Sequence, residues 1–310
     1  MSILKLKPAC KDYIWGGHRL KELYNKSYDG DVLAETWELS CHPDGPSTVI
    51  NGPYAGKTLR EYIDAEGRQV LGANCQVFQD FPILIKFIDA KADLSIQVHP
   101  DNTYALAHEG QYGKTEVWYV LEAEPDAYLY YGFQHEITRE ELCRRIADNT
   151  LTEVLNAVPV HKGDLIYIPA GTIHAICRGV VIAEIQQSSN VTYRVYDYNR
   201  TGADGKPRPL HIKKAAEVTE LAPPRRDWNF GGHLARSMYF TVDAVESGAA
   251  VSCNGESFTS LLILDGEGSI RYGNEDVSCR KGDSLFIPAG SGCAGLSGNL
   301  RALCTRVGTV

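Results

Sequence analysis

The sequence predicts a mainly β protein in which two β-barrels follow one another, with a small helical insertion. Three observations carry this. Gly163-Asp164-Leu165-Ile166-Tyr167-Ile168-Pro169-Ala170-Gly171 recurs as Gly282-Asp283-Ser284-Leu285-Phe286-Ile287-Pro288-Ala289-Gly290, so one structural unit is built twice. Short β-rich segments closed by Gly, Pro, Asn or Asp fill the chain, with 29 Gly and 14 Pro to supply turns. Two stretches break the pattern with Thr-x-x-Glu capping boxes, at Thr58 with Glu61 and at Thr138 with Glu141.

In each repeat Gly-Asp makes a turn, the apolar run is a buried strand, and Pro-Ala-Gly ends the pairing at the barrel mouth. The Thr58 and Thr138 boxes start surface helices, and the second is expected to continue to Val158 as a helical insertion over 136–158. A change of composition at Pro223-Pro224-Arg225-Arg226 marks a connector. The expected division is therefore a first domain over 1–235 and a second over 236–310.

Composition narrows the function. A chain of 310 residues, 44% hydrophobic and 23% charged, is an ordinary globular one, and no apolar run approaches the ~20 residues of a membrane helix. Its net charge of −8 argues against general nucleic-acid binding but leaves room for an anionic substrate held by local cations. The nine cysteines, odd in number and without CxxC pairs, read as free thiols. Met1 to Pro8 has no basic segment followed by an apolar core, so a cytoplasmic location is expected.

Strand alternation points to a metal. In Leu94-Ser95-Ile96-Gln97-Val98-His99 the polar residues Ser95, Gln97 and His99 share one face, and after Gly113 the residues Lys114, Glu116 and Trp118 share another. A barrel interior lined this way is a place for something polar. The repeat's Gly-Asp…Ile-Pro-Ala-Gly-x-x-His pattern resembles the second conserved motif of the cupin superfamily, a jelly-roll barrel; the first copy ends in His174, the second in Cys293. Gln97, His99, Glu116 and His174 are the expected ligands of one Zn²⁺ per chain, which takes nitrogen and oxygen donors. The same donors suit iron in oxygenases, and the plainer alternative makes each an internal hydrogen-bonder. The second copy, with no carboxylate in Thr259-Ser260-Leu261-Leu262 and with Cys293 for the histidine, is expected to hold no metal.

An ordered series of motifs then resembles the type I mannose-6-phosphate isomerases, in their short bacterial form. It comprises Asp12-Tyr13-Ile14-Trp15-Gly16-Gly17, Glu35-Thr36-Trp37-Glu38-Leu39-Ser40, Leu94 to Asn102, Gly113 to Tyr119, Ile168 to His174, and Val191-Thr192-Tyr193-Arg194-Val195-Tyr196-Asp197-Tyr198. The resemblance implies two cupin (jelly-roll) barrels, the first catalytic and the second degenerate. It also implies zinc on the same four residues and Arg194 as the active-site arginine. The implied reaction converts mannose 6-phosphate and fructose 6-phosphate through a cis-enediol, so the expected partner is a small phosphorylated sugar; the expected state is a monomer or weak homo-oligomer. Around this core, Lys114 and Lys86 are candidates for phosphate binding or proton relay, Lys86 because a buried lysine loses its charge readily. Ser95, Tyr196 and Tyr198 are candidates for substrate contact, the tyrosines because strand alternation places them on the face of Arg194. Spacing assigns no general base. A non-catalytic cupin and an iron oxygenase are the competing readings.

Overall fold

The computed structural model of the chain describes residues 2–201 and 205–308. Its strands form three antiparallel sheets stacked in layers. The middle sheet has six strands in the order Leu165–Ile168, Glu116–Ala123, Val180–Gln187, Ile83–Ala90, Glu35–Leu39, Ala9–Lys11. It is buried on both faces: all eight residues of Val180–Gln187 and all eight of Ile83–Ala90 are buried. That explains their near-continuous apolar character, each fully buried Val or Ile contributing about 1.5–3 kcal/mol.

A five-stranded sheet lies against one face of the middle sheet, in the order Tyr193–Tyr196, Ile96–Val98, His174–Ile176, Tyr128–Phe133, Leu155–Pro159. Trp15, Ile88, Leu94, Trp118, Val120, Leu129, Ile176 and Ile182 fill the space between the two sheets. The helices Arg139–Ala147 and Ile212–Val218 cover the outer face of the five-stranded sheet through Leu142, Ile146, Ala215 and Ala216. On its other face the middle sheet sends Val117, Tyr119, Val181, Ala183 and Ile185 into a core shared with Phe240, Val242, Phe258, Phe286 and Leu303 of the nine-stranded sheet. That sheet wraps a core of its own, around Val251, Leu261, Ile263, Leu285 and Ile287.

The mainly β, two-jelly-roll architecture matches the expectation, with two corrections. The barrels are not closed: the first is a sandwich of six and five strands with no ladder joining the sheets. The helical insertion is shorter than 136–158, because after Arg139–Ala147 and a single 3₁₀ turn at Leu151–Glu153 the chain becomes the strand Leu155–Pro159, paired with Tyr128–Phe133. Edge pairing there overrides the helical start set by Thr138, whose side chain accepts from the Glu141 N–H. At Thr58 both halves of the capping box are formed.

The two repeats build the same piece. Leu165–Ile168 and Ser284–Ile287 are each bracketed by glycines at positive φ, Gly163 (95°) and Gly171 (88°) in one, Gly282 (91°) and Gly290 (79°) in the other. Each strand also pairs with an equivalent neighbour: Ile168 lies opposite Glu116, and Ile287 opposite Thr259. The second jelly roll thus has a threonine in the register position of the first one's carboxylate.

Candidate metal centre and cleft

The inner face of the first sandwich turns polar at one end. Val98 and Ile96 point to the helical side while Gln97 points inward, and His174 pairs directly with Gln97 across the neighbouring strand. His99, Glu116 and His174 thereby meet, their ligand atoms all within 4.8 Å of one another and each residue no more than 1% exposed. Glu116 Oε1 lies 3.3 Å from His174 Nε2, and Glu116 Oε2 lies 3.7 Å from His99 Nε2.

Both imidazoles are fixed from behind. His99 Nδ1 bonds the Val191 carbonyl at 2.9 Å and His174 Nδ1 the Thr172 carbonyl at 2.8 Å. A carbonyl only accepts, so each Nδ1 carries the proton and each Nε2 lone pair faces inward, the arrangement of metal-binding histidines. Burial, with the Lys114 charge nearby, keeps His99 well below the usual imidazole range, and burial lowers His174 to about 4. Neither Glu116 oxygen accepts a hydrogen bond, although Lys114 Nζ is 2.9 Å away, and burial pushes this carboxyl up. Two neutral imidazole nitrogens and an orphaned buried carboxylate fit a divalent cation with mixed nitrogen and oxygen ligands. The Gln97 amide completes the ring with Nε2 3.4 Å from His174 Nε2; a half-turn of the amide puts its oxygen in that place.

Beside this centre runs a chain of alternating charges. Lys114 Nζ is 3.6 Å from Glu184 Oε1, which is 3.1 Å from Lys86 Nζ, which is 3.6 Å from Glu35 Oε2. Trp118 Nε1 donates to Glu184 at 3.0 Å and Trp37 Nε1 to Glu35 at 2.8 Å. Burial alone would lower Lys86, but Glu184 and Glu35 outweigh it and hold the ammonium above its ordinary range. Burial would raise Glu184, but Lys114 and Lys86 hold it low. The expectation that Lys86 sheds its charge is therefore corrected: it sits on an interior strand between two carboxylates and stays protonated.

These groups line a cleft of about 290 Å³, together with Ser95, Thr192, Arg194 and Arg208. Arg194 is opposite Gln97 in the ladder, and its Nη1 donates to the Pro209 carbonyl at 3.1 Å. Tyr196 and Tyr198 are not in the cleft. A bulge after Arg194 sets Tyr196 opposite Ile96, and both tyrosines pack on the helical side of the sheet. A one-residue irregularity flips every later side chain to the other face, which alternation alone does not reveal. Glu184 and Arg208 were missed by sequence reasoning. Glu184 had a signal, since Glu184 and Gln186 are the alternate polar positions of an otherwise apolar strand, whereas Arg208 lies in a loop and had none.

Fold and site together define a cupin enzyme with a buried His–Glu–His centre in its first jelly roll. The chain belongs to the type I mannose-6-phosphate isomerase family. A family model described as phosphomannose isomerase type I, catalytic domain, matches residues 3–129, and one described as mannose-6-phosphate isomerase, cupin domain, matches residues 232–307. The mannose-6-phosphate isomerase of Streptococcus mutans is 40% identical over 284 residues, 89% of each chain. A mannose-6-phosphate isomerase of Bacillus subtilis is 38% identical over 316 aligned positions, 98% of each chain. The crystal structure of mannose 6-phosphate isomerase from Bacillus subtilis superposes with a TM-score of 0.88 at 35% identity, covering 98% of this chain and 99% of that one.

Proposed function

We propose that the enzyme interconverts D-mannose 6-phosphate and D-fructose 6-phosphate through a cis-enediol, with one Zn²⁺ per chain held by His99, Glu116, His174 and the Gln97 amide. The observation that carries the metal is the convergence of two proton-free Nε2 atoms on a buried carboxylate that lacks hydrogen bonds. Zinc, when bound, supplies Lewis acidity toward the sugar oxygens at carbons 1 and 2.

The chain's own groups have separate tasks. Moving a proton between carbons 2 and 1 builds negative charge on the adjoining oxygens, and fixed cations in a cleft stabilise it. Arg194 provides a half-buried guanidinium on the cleft wall, and Lys86 and Lys114 provide ammonium groups held in place by Glu184. Lys86, protonated and clamped, serves as an electrostatic group and not as a base. Ser95, buried on the cleft wall next to Gln97, offers a hydroxyl to the sugar. The catalytic unit in this reading is 1–235, with 236–310 a metal-free jelly roll. We place the enzyme in the cytoplasm as a monomer or weak homo-oligomer; among the described residues no helix is long and apolar enough to cross a membrane.

The test is fructose 6-phosphate formation from mannose 6-phosphate by purified protein, before and after chelation, with zinc restored and with His174→Ala alongside. Activity lost on chelation, regained with zinc and absent from the variant is the expected result. Inactivity of folded, zinc-loaded protein overturns the reading.

A further inference from the structure

The cleft carries opposite charges at its two ends. On its floor Glu35, Glu116 and Glu184 meet Lys86 and Lys114, three carboxylates against two ammonium groups, which favours a cation. At its lip Arg194, Arg200 and Arg208 gather near one carboxylate, Asp197, leaving two positive charges.

The three guanidiniums are not equivalent. Arg200 is spent: Nη2 bonds Asp197, Nη1 bonds the Asp93 main-chain oxygen, and the group lies over the Tyr198 ring at 5.2 Å, on the helical side of the sheet. Arg194 and Arg208 line the cleft. Arg208 grips Asp197 with Nε at 2.6 Å and Nη2 at 2.5 Å, a fork that fixes the guanidinium plane and leaves Nη1 outside it. Arg194 Nε is buried with no partner at all. A buried donor left unpaired is costly until an acceptor reaches it.

We propose that Arg208 holds the phosphate end of the substrate, with Arg194 beside it and Asp197 as the positioning residue that orients Arg208. The assignment rests on the isomerase reading above and deepens it. A phosphomonoester carries about 1.5 to 2 negative charges near neutral pH and three acceptor oxygens, which suits two adjacent guanidiniums. Neither lysine competes for it, since Lys86 is engaged by Glu184 and Glu35, and Lys114 by Glu116. With the phosphate at the arginine lip, the reacting end of the sugar points to the carboxylate-rich floor where the cation binds. The charge pattern thus sets the direction in which the substrate lies.

Inorganic phosphate is the probe. It is titrated by calorimetry into metal-loaded wild-type protein, Arg208→Gln and Arg208→Lys, and its competition with mannose 6-phosphate is measured in each. Arg208→Gln is expected to weaken phosphate binding and raise KM about tenfold or more, with kcat within about threefold and metal content unchanged, because only a ground-state contact is lost. Arg208→Lys, which keeps the charge that faces Asp197 but not the fork, is expected to lose about threefold; it decides the matter if the glutamine variant does not fold. Phosphate affinity unchanged in a folded variant overturns the assignment while wild-type turnover leaves the isomerase standing. Phosphate binding that depends on Arg208 in a wild-type protein with no turnover supports the anion site and sinks the isomerase reading instead.

Discussion

Glu184 and Lys86 face each other across neighbouring strands of the middle sheet, Oε1 to Nζ 3.1 Å apart, at 2% and 5% exposure. Each is the reason the other is charged in the interior. Replacing Glu184 with Gln leaves Lys86 with Glu35 at 3.6 Å and removes the carboxylate shared with Lys114. Breaking a buried pair from one side costs about 3–5 kcal/mol, partly offset here by Glu35, so urea unfolding is expected to show a loss of about 3 kcal/mol. With both cations loosened, kcat is expected to fall about tenfold or more at unchanged metal content. Wild-type kcat in the folded variant would leave Glu184 a purely structural residue.

The protonation order of the metal-free centre sets a pH dependence for zinc uptake. Burial raises Glu116 above the ordinary carboxyl range and lowers His99 and His174 beneath the ordinary imidazole range. As pH falls through mildly acidic values the proton therefore goes to Glu116 while the imidazoles stay neutral. Zinc has to displace that one proton. Calorimetry in buffers of different ionisation enthalpy is expected to report close to one proton released per zinc at pH ~6 and fewer at pH ~8. Release of two or more at the lower pH would show that the histidines, not the glutamate, hold the protons.

Gly163 and Gly282 occupy the same place in the two repeats and the same backbone region, φ 95° and 91°. Their surroundings differ. A Cβ on Gly163 meets nothing within 4 Å, whereas one on Gly282 would lie 1.9 Å from the Tyr24 carbonyl oxygen. Gly163→Ala is expected to cost about 1–2 kcal/mol for the backbone conformation alone. Gly282→Ala adds a main-chain clash and is expected to cost more than twice as much, read from paired unfolding curves. Equal losses would mean that the Tyr24 turn yields easily.

Ser260 is fully buried, on the strand face that joins the core shared by the middle and nine-stranded sheets, and its hydroxyl has no hydrogen-bond partner. An unpartnered buried hydroxyl opposes folding, so Ser260→Ala is expected to be neutral or to stabilise by up to about 1 kcal/mol. Destabilisation of that size would reveal a partner, such as an enclosed water.

What the sequence disclosed follows from where alternation survives. Gln97 and His99, and Lys114 with Glu116, lie in strands whose one polar face opens on the cleft, so period-two reading placed them together. The repeat located His174, and the register of Ile168 with Glu116 and Ile287 with Thr259 shows why only one copy has a carboxylate. The misreadings have local causes. The bulge after Arg194 reversed Tyr196, an edge strand replaced the end of an expected helix, and in Ile83–Ala90 and Val180–Gln187 burial of both faces hid the ion pair that links Lys86 to Glu184. Arg208 reaches the cleft only through tertiary folding of its loop, which no local pattern encodes.

The strand Leu4–Lys7 lies between Ser284–Ile287 and Thr48–Val49, with Leu4 opposite Phe286. Among the first residues to leave the ribosome, it has a ladder that cannot close until residues near 286 have followed. Closing so long a loop adds little to the equilibrium cost, because that cost grows only with the logarithm of length, but it delays folding. The two ends of the chain form one clasp, so a truncation at either end opens the same sheet.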